Sequence, residues 1–135
     1  MIKYLFITSL TLVTMSGFVF SQSAPIKFSD RVQKFGKVDE GVDVTLKYTF
    51  MNEGKQPILI NDAKVNCSCT VVDFPKTPIG PAKFGQIVVT FHTEAKIGYQ
   101  ERKIDLSTNL GSSQIVFKGV VIAKEETVDK YKATH

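Results

Sequence analysis

Val44-Thr45-Leu46-Lys47-Tyr48-Thr49-Phe50 places an apolar or aromatic residue at every second position, so Val44, Leu46, Tyr48 and Phe50 share one face while Thr45, Lys47 and Thr49 share the other. A period of two marks a strand with one side buried and the other in water. Asn52-Glu53-Gly54-Lys55-Gln56 follows with turn chemistry. Pro57-Ile58-Leu59-Ile60 then resumes an extended run, its proline at the first position, where a missing N–H does little harm.

The same pattern recurs on either side. Gly85 to Thr93 alternates Ile87, Val89 and Phe91 against Val88, Thr90 and His92, and Arg102 to Thr108 sets Ile104 and Leu106 against polar neighbours. Ser113 to Ala123 turns Ile115, Phe117 and Val121 inward, with Gly119 in place of a side chain where backbones approach closely. Ile97-Gly98-Tyr99 reads as a turn and Asn109-Leu110-Gly111-Ser112 as a hairpin turn. Phe74-Pro75-Lys76-Thr77-Pro78-Ile79-Gly80-Pro81 can be neither helix nor central strand and reads as a long crossing loop. With short edge segments at Lys27–Ser29 and Phe35–Val38 the chain has about seven strands, which predicts an all-β, antiparallel β-sandwich.

The two ends fall outside this pattern. Lys3 followed by the apolar run Leu5 to Phe20 has the layout of a signal peptide, and the run is shorter than the roughly 20 residues of a membrane span. Cleavage is expected after Ser21, with Ser23 as runner-up; the bulky Phe18 and Phe20 leave an uncleaved anchor as the alternative. No cysteine follows the run, so no lipid anchor is expected. The expected organisation is a leader over 1–21, the sandwich over 22–123 and a flexible tail over 124–135, with a short helix over Glu125–Tyr131 as the alternative for the tail. The expected address is the periplasm or the exterior, with no membrane span left after cleavage.

Composition narrows the function classes. A chain of 135 residues, 43% hydrophobic and 22% charged, is a single globular domain, too short for dinucleotide enzymes, TIM barrels or kinases of roughly 250 residues. The 17 basic and 13 acidic residues are interspersed, so no phosphate-tracking groove and no nucleic acid partner is indicated. No nucleophile elbow, zinc-protease motif, phosphate loop or calcium loop occurs. His92 falls on the polar face of its strand and reads as a surface residue. Phe28, Phe35, Phe50, Phe91 and Phe117 read as core; Phe74 and Phe84, flanking the Pro-rich loop, do not.

Cys67 and Cys69 are the one chemical constellation. On an extended strand they project to the same face about 6–7 Å apart at Cα, the long limit for a disulfide, so a bridge requires the chain to bend. A local disulfide, buried free thiols, soft-metal binding of copper or zinc, and intermolecular pairing are all open readings of the pair. The metal reading has only His92 and His135 to complete a ligand set. The Cys-x-x-Cys spacing and helix N-terminus typical of redox sites are absent.

The ordered set Phe35-Gly36-x-Val38-x-Glu40-Gly41, Phe50-x-Asn52-x-Gly54-x-x-Pro57-Ile58-x-Ile60, Cys67-x-Cys69-Thr70, Pro78-Ile79-x-Pro81, Gly85-x-Ile87-x-Val89-x-Phe91 and Thr108-Asn109 resembles the bacterial domain-of-unknown-function family 1573, common in secreted Bacteroidetes proteins. The resemblance runs from Phe28 to about Ile122. It implies an immunoglobulin-like sandwich akin to Hydin-type and major-sperm-protein domains, which are usually adhesive or scaffold modules, and it implies no known activity. The family's usual Gly between the cysteines is Ser68 here, and its usual Pro-Gly before the Gly85 block is Pro81-Ala82.

These readings predict an exported, non-enzymatic module without a cofactor, acting on an unknown protein or envelope component. Phe74, Pro75, Pro78, Pro81 and Phe84 are its candidate interaction loop. The alternative is a soft-metal or thiol-handling protein centred on Cys67 and Cys69.

Overall fold

The computed structural model describes residue 17 and residues 22–134, so the leader reading lies, apart from Gly17, outside the described residues. Two four-stranded sheets face each other. One runs in the order β1 (Ile26–Phe28), β3 (Asp43–Asn52), β6 (Phe84–His92), β5 (Thr70–Asp73); the other in the order β2 (Val32–Asp39), β8 (Gly111–Ile122), β7 (Gly98–Thr108), β4 (Ile60–Val65). The sandwich expected from alternation is present, with eight strands among the described residues instead of about seven.

The residues assigned inward are inward. Val44, Leu46, Tyr48, Phe50, Ile87, Val89, Phe91, Ile104, Leu106, Ile115, Phe117 and Val121 are all buried, because successive side chains of a pleated strand must take opposite faces. Phe91 and Phe117 meet across the sandwich at 5.2 Å between ring centroids, and Phe35 closes on both at 5.8 and 6.3 Å. Tyr48, wholly buried, donates its hydroxyl to the Val116 carbonyl of the opposite sheet at 2.8 Å. Burial, reinforced by the Asp30 carboxylate, holds that hydroxyl above the usual tyrosine range, so it remains a donor.

Four expectations are corrected. First, β2 pairs with β8 in parallel, not antiparallel. Alternation encodes which face a residue takes but not strand direction, and only strands joined by a tight hairpin are obliged to be antiparallel. Second, the run Pro57–Ile60 is laddered only at its last residue, Ile60, which opens β4 opposite Thr108. Ile58 makes one isolated bridge with Ile79, while Leu59 N–H donates to Asn109 Oδ1 and Asn109 Nδ2 donates to the Pro57 carbonyl. Third, the turn expected at Ile97–Tyr99 falls earlier, where Lys96 N–H donates to the Thr93 carbonyl, so Gly98 and Tyr99 open β7. Fourth, of the two readings of the stretch over 124–135, a flexible tail or a short helix over Glu125–Tyr131, the helix is the one present, as α1 (Glu125–Ala133). Glu125 and Glu126 in its first turn and Lys130 and Lys132 in its last complement the helix dipole, which stabilises a segment with little apolar surface to pack.

At Gly119 the close neighbour is a ring and not a backbone, since a methyl there would overlap Phe35. In the Gly80–Lys83 turn, closed by Lys83 N–H on the Gly80 carbonyl at 3.1 Å, Pro81 and Ala82 take the central positions and Ala82 has φ 59°. A type II turn demands positive φ at its second central residue, where a Cβ costs about 1–2 kcal/mol. Ala82→Gly is therefore expected to raise stability by about 0.5–1 kcal/mol, after subtracting the greater unfolded-state freedom of glycine. The urea midpoint should rise at unchanged slope; a midpoint that stays or falls refutes the strain assignment.

Candidate functional site

The cysteines lie where the chain passes from one sheet to the other. β4 ends at Val65, β5 begins at Thr70, and the intervening residues make a turn in which Thr70 N–H points at the Cys67 carbonyl, 3.4 Å away. This bend brings the Cα atoms to 5.1 Å and the two sulfurs to bonding distance, well inside the spacing an extended strand would leave. Ser68 is not among the residues with positive φ, so glycine is not required between the thiols for the bend.

Both cysteines are half-buried, with Cys69 packed against the core. Cys69 N–H donates to Cys67 Sγ at 3.2 Å, and Cys69 Sγ lies 3.8 Å from Thr70 Oγ1. His92 N–H donates to the Cys69 carbonyl at 2.8 Å and ties the turn to β6. A ring closed over a single intervening residue removes little unfolded-state entropy, about 1.5 kcal/mol in the loop-closure account. Among the described residues no group of three or more His, Cys, Asp and Glu side chains converges, so the pair stands without a third ligand of those types. His92 instead faces solvent, its Nδ1 2.8 Å from Asp43 Oδ1.

The Pro-rich loop does not form one surface. Phe74 is half-buried and packs against the core with Lys76 Nζ 3.4 Å from its ring centroid, and Pro75 is half-buried beside it in sequence. Pro78 and Pro81 are exposed, and Ile79 between them is committed to Ile58. Phe84 is 68% exposed on the outer face of its sheet, paired with Met51, which pairs in turn with Lys27.

A different apolar patch emerges on the outer face of the other sheet. Tyr99 is 62% exposed and pairs with half-buried Val120; Ile122, 45% exposed, pairs with Asp39. Ile97, 51% exposed, precedes Gly98, the partner of Val121, and so continues the row at the level of Ile122. Beside Tyr99, the paired glycines Gly36 and Gly119 leave a shallow depression of about 340 Å³ bounded by Lys34 and Lys118. One signal for this patch is in the sequence: Val121 is inward, which obliges Val120 and Ile122 outward. The other half, Ile97 and Tyr99, is hidden when those residues are read as a turn.

A family model described as a protein of unknown function (DUF1573) matches residues 26–121. No curated protein matches the chain in sequence. Among solved structures, a protein of unknown function from Porphyromonas gingivalis W83 superposes with a TM-score of 0.63 at 11% identity, over 79% of this chain and 51% of that one. The ASH/PapD-like domain of human CEP192 (PapD-like domain 7) superposes with a TM-score of 0.59 at 11% identity, over 83% of this chain and 98% of that domain. The VesB protease of Vibrio cholerae gives 0.56 at 12% identity, over 73% of this chain and 32% of the protease. The chain thus spans half of the Porphyromonas protein and a third of the protease, and at these identities what is shared is the immunoglobulin-like fold.

Proposed function

The chain belongs to the DUF1573 family of proteins of unknown function, and from that premise we propose that it is an exported, non-enzymatic immunoglobulin-like module that works by binding a protein of the cell envelope. The observation that carries this reading is the outer row of exposed Ile97, Tyr99 and Ile122 with half-buried Val120 among them. Monomeric surfaces rarely keep contiguous apolar area in water unless something covers it. The row lies beside β2, which ends its sheet and leaves one line of backbone donors and acceptors open to an added strand. Export rests on the leader layout of Lys3 and the apolar run Leu5 to Phe20, and the bonds of Gln22 and Ala24 bear on where that leader is cut. The Gln22 carbonyl accepts Ser112 N–H at 3.2 Å and Ala24 N–H donates to the Ser112 carbonyl at 2.8 Å. Cleavage after Ser21 retains both bonds, whereas cleavage after Ser23 removes the first. Among the described residues no helix is long and apolar enough to cross a membrane.

The test compares the secreted protein with a Tyr99→Ser/Ile122→Ser variant in crosslinking to native envelope. Both side chains are exposed, so the variant should melt within about 2 °C of the parent. The expected result is a discrete crosslinked species that the variant loses. Identical crosslinking by both proteins refutes the patch as the binding face.

A further inference from the structure

We infer that Cys67 and Cys69 form a thiol–disulfide exchange site, with Cys67 the attacking thiolate, Cys69 the resolving thiol and the disulfide of a low-molecular-weight thiol or of another protein as the substrate. The inference is independent of the binding patch, and it replaces the non-enzymatic part of the reading above. Three observations carry it.

The first is the hydrogen bond from Cys69 N–H to Cys67 Sγ at 3.2 Å. The backbone N–H at 3.2 Å from Cys67 Sγ is a nearer and fixed donor than the Thr70 hydroxyl at 3.8 Å from Cys69 Sγ, which can donate or accept, and this favours the thiolate at Cys67 once the pair is reduced. The second is that the turn holds its shape by backbone bonds that do not involve sulfur. Thr70 N–H on the Cys67 carbonyl and His92 N–H on the Cys69 carbonyl flank the pair, and neither bond requires the sulfur–sulfur link. The two sulfurs therefore stay within reach of each other when the bond between them is broken. The third is that so short a ring constrains the unfolded chain little, which leaves stabilisation a weak reason for the pair. A cleft of about 340 Å³ lined by Asn66, Glu101, Arg102 and Lys103 adjoins the turn at Asn66, although neither cysteine lines it.

In the reducing direction the Cys67 thiolate attacks one sulfur of the substrate disulfide, and the other leaves as a thiolate. The mixed disulfide on Cys67 is then attacked by deprotonated Cys69, which forms the Cys67–Cys69 bond and releases the second substrate thiolate. Two electrons pass from the dithiol to the substrate, and the two protons lost by the cysteines end on the released thiols. The reverse sequence oxidises a substrate dithiol.

The experiment equilibrates the purified protein in glutathione buffers of graded redox poise, traps thiols by alkylation and reads the mass. The pair is expected to pass from disulfide to dithiol within that range. In single variants, Cys69→Ser should form a mixed disulfide with oxidised glutathione about tenfold faster than Cys67→Ser. An exposed disulfide-bonded peptide in place of glutathione distinguishes a protein substrate from a small one. A pair that stays oxidised, or stays reduced, across the whole series overturns the inference, as do equal rates in the two variants. Stoichiometric copper or zinc in the purified protein that is lost in Cys67→Ser also overturns it. The titration of the unaltered protein decides the matter even if a variant does not fold.

Discussion

Asn52→Ala is expected to destabilise the protein by about 3–4 kcal/mol, close to half of what a small domain has. Asn52 is completely buried and uses its whole side chain. Nδ2 donates to the Gln56 carbonyl at 2.8 Å and to the Ile79 carbonyl at 3.0 Å, while Oδ1 accepts Gly54 N–H at 2.8 Å. Its backbone continues the network, donating to the Lys83 carbonyl at 3.0 Å and accepting Ala82 N–H at 2.9 Å. One residue thus closes the turn after β3 and clamps both ends of the segment that leads into β6. Alanine leaves the Gln56 carbonyl and the Gly54 N–H without these partners, the Ile79 carbonyl with Ile58 N–H alone, and a void where the amide was, each costing up to about 1 kcal/mol. Urea unfolding measures the loss, and a change below about 1 kcal/mol would show that water replaces the side chain.

Asn52→Asp separates hydrogen bonding from packing. It keeps the size and the acceptor for Gly54 but sets a buried carboxylate against two carbonyl oxygens. Desolvation and that repulsion raise the folded-state pKa above the unfolded value of about 4. Protonation is then favoured in the folded state, so stability is greatest below pH 4 or so and is lost as pH rises through the folded pKa. A pH-independent loss equal to that of alanine would count against this account.

Gly85→Ala is the second large effect, and its sign opposes intrinsic propensity. On a strand alanine should be better than glycine by about 0.5–1 kcal/mol. Gly85 faces Phe50 in the β3–β6 register, however, and a methyl there would fall on the Phe50 ring. That ring is wholly buried and packs on Phe28 at 5.7 Å, so it has nowhere to move. Overpacking of this kind should cost about 2–3 kcal/mol net. Gly119→Ala makes the same overlap with Phe35, but Phe35 is half-buried at the β2 bulge and can swing aside, so its loss should be the smaller. A double-mutant cycle of Gly85→Ala with Phe50→Leu decides the cause. The pair should lose clearly less than the sum of the singles, and additivity within about 0.5 kcal/mol would refute the overlap.

These effects mark what could be read from residues and what could not. The inward faces of β3, β6, β8 and the second half of β7 are legible, since each assignment depends on neighbours two positions away, whereas β2 shows only as a short edge segment. Asn52 is visible only as a turn residue, because its partners Gln56 and Ile79 come together through folding. The cysteines are legible as a pair, but their 5.1 Å approach depends on the turn between sheets. Phe74 and Phe84 look alike beside the prolines, yet one packs against the core and the other faces solvent.

By itself the sequence determined the class, the sandwich and its core, because alternation is a local property of a pleated chain whose faces differ in polarity. Tertiary structure alone decided the parallel β2–β8 pairing, the rings lying over Gly85 and Gly119, the Ile97 and Tyr99 half of the outer row and the hydrogen bond that distinguishes Cys67 from Cys69. Each of these depends on which strand becomes a neighbour or on how a turn closes, and the chain settles both only when the two sheets pack.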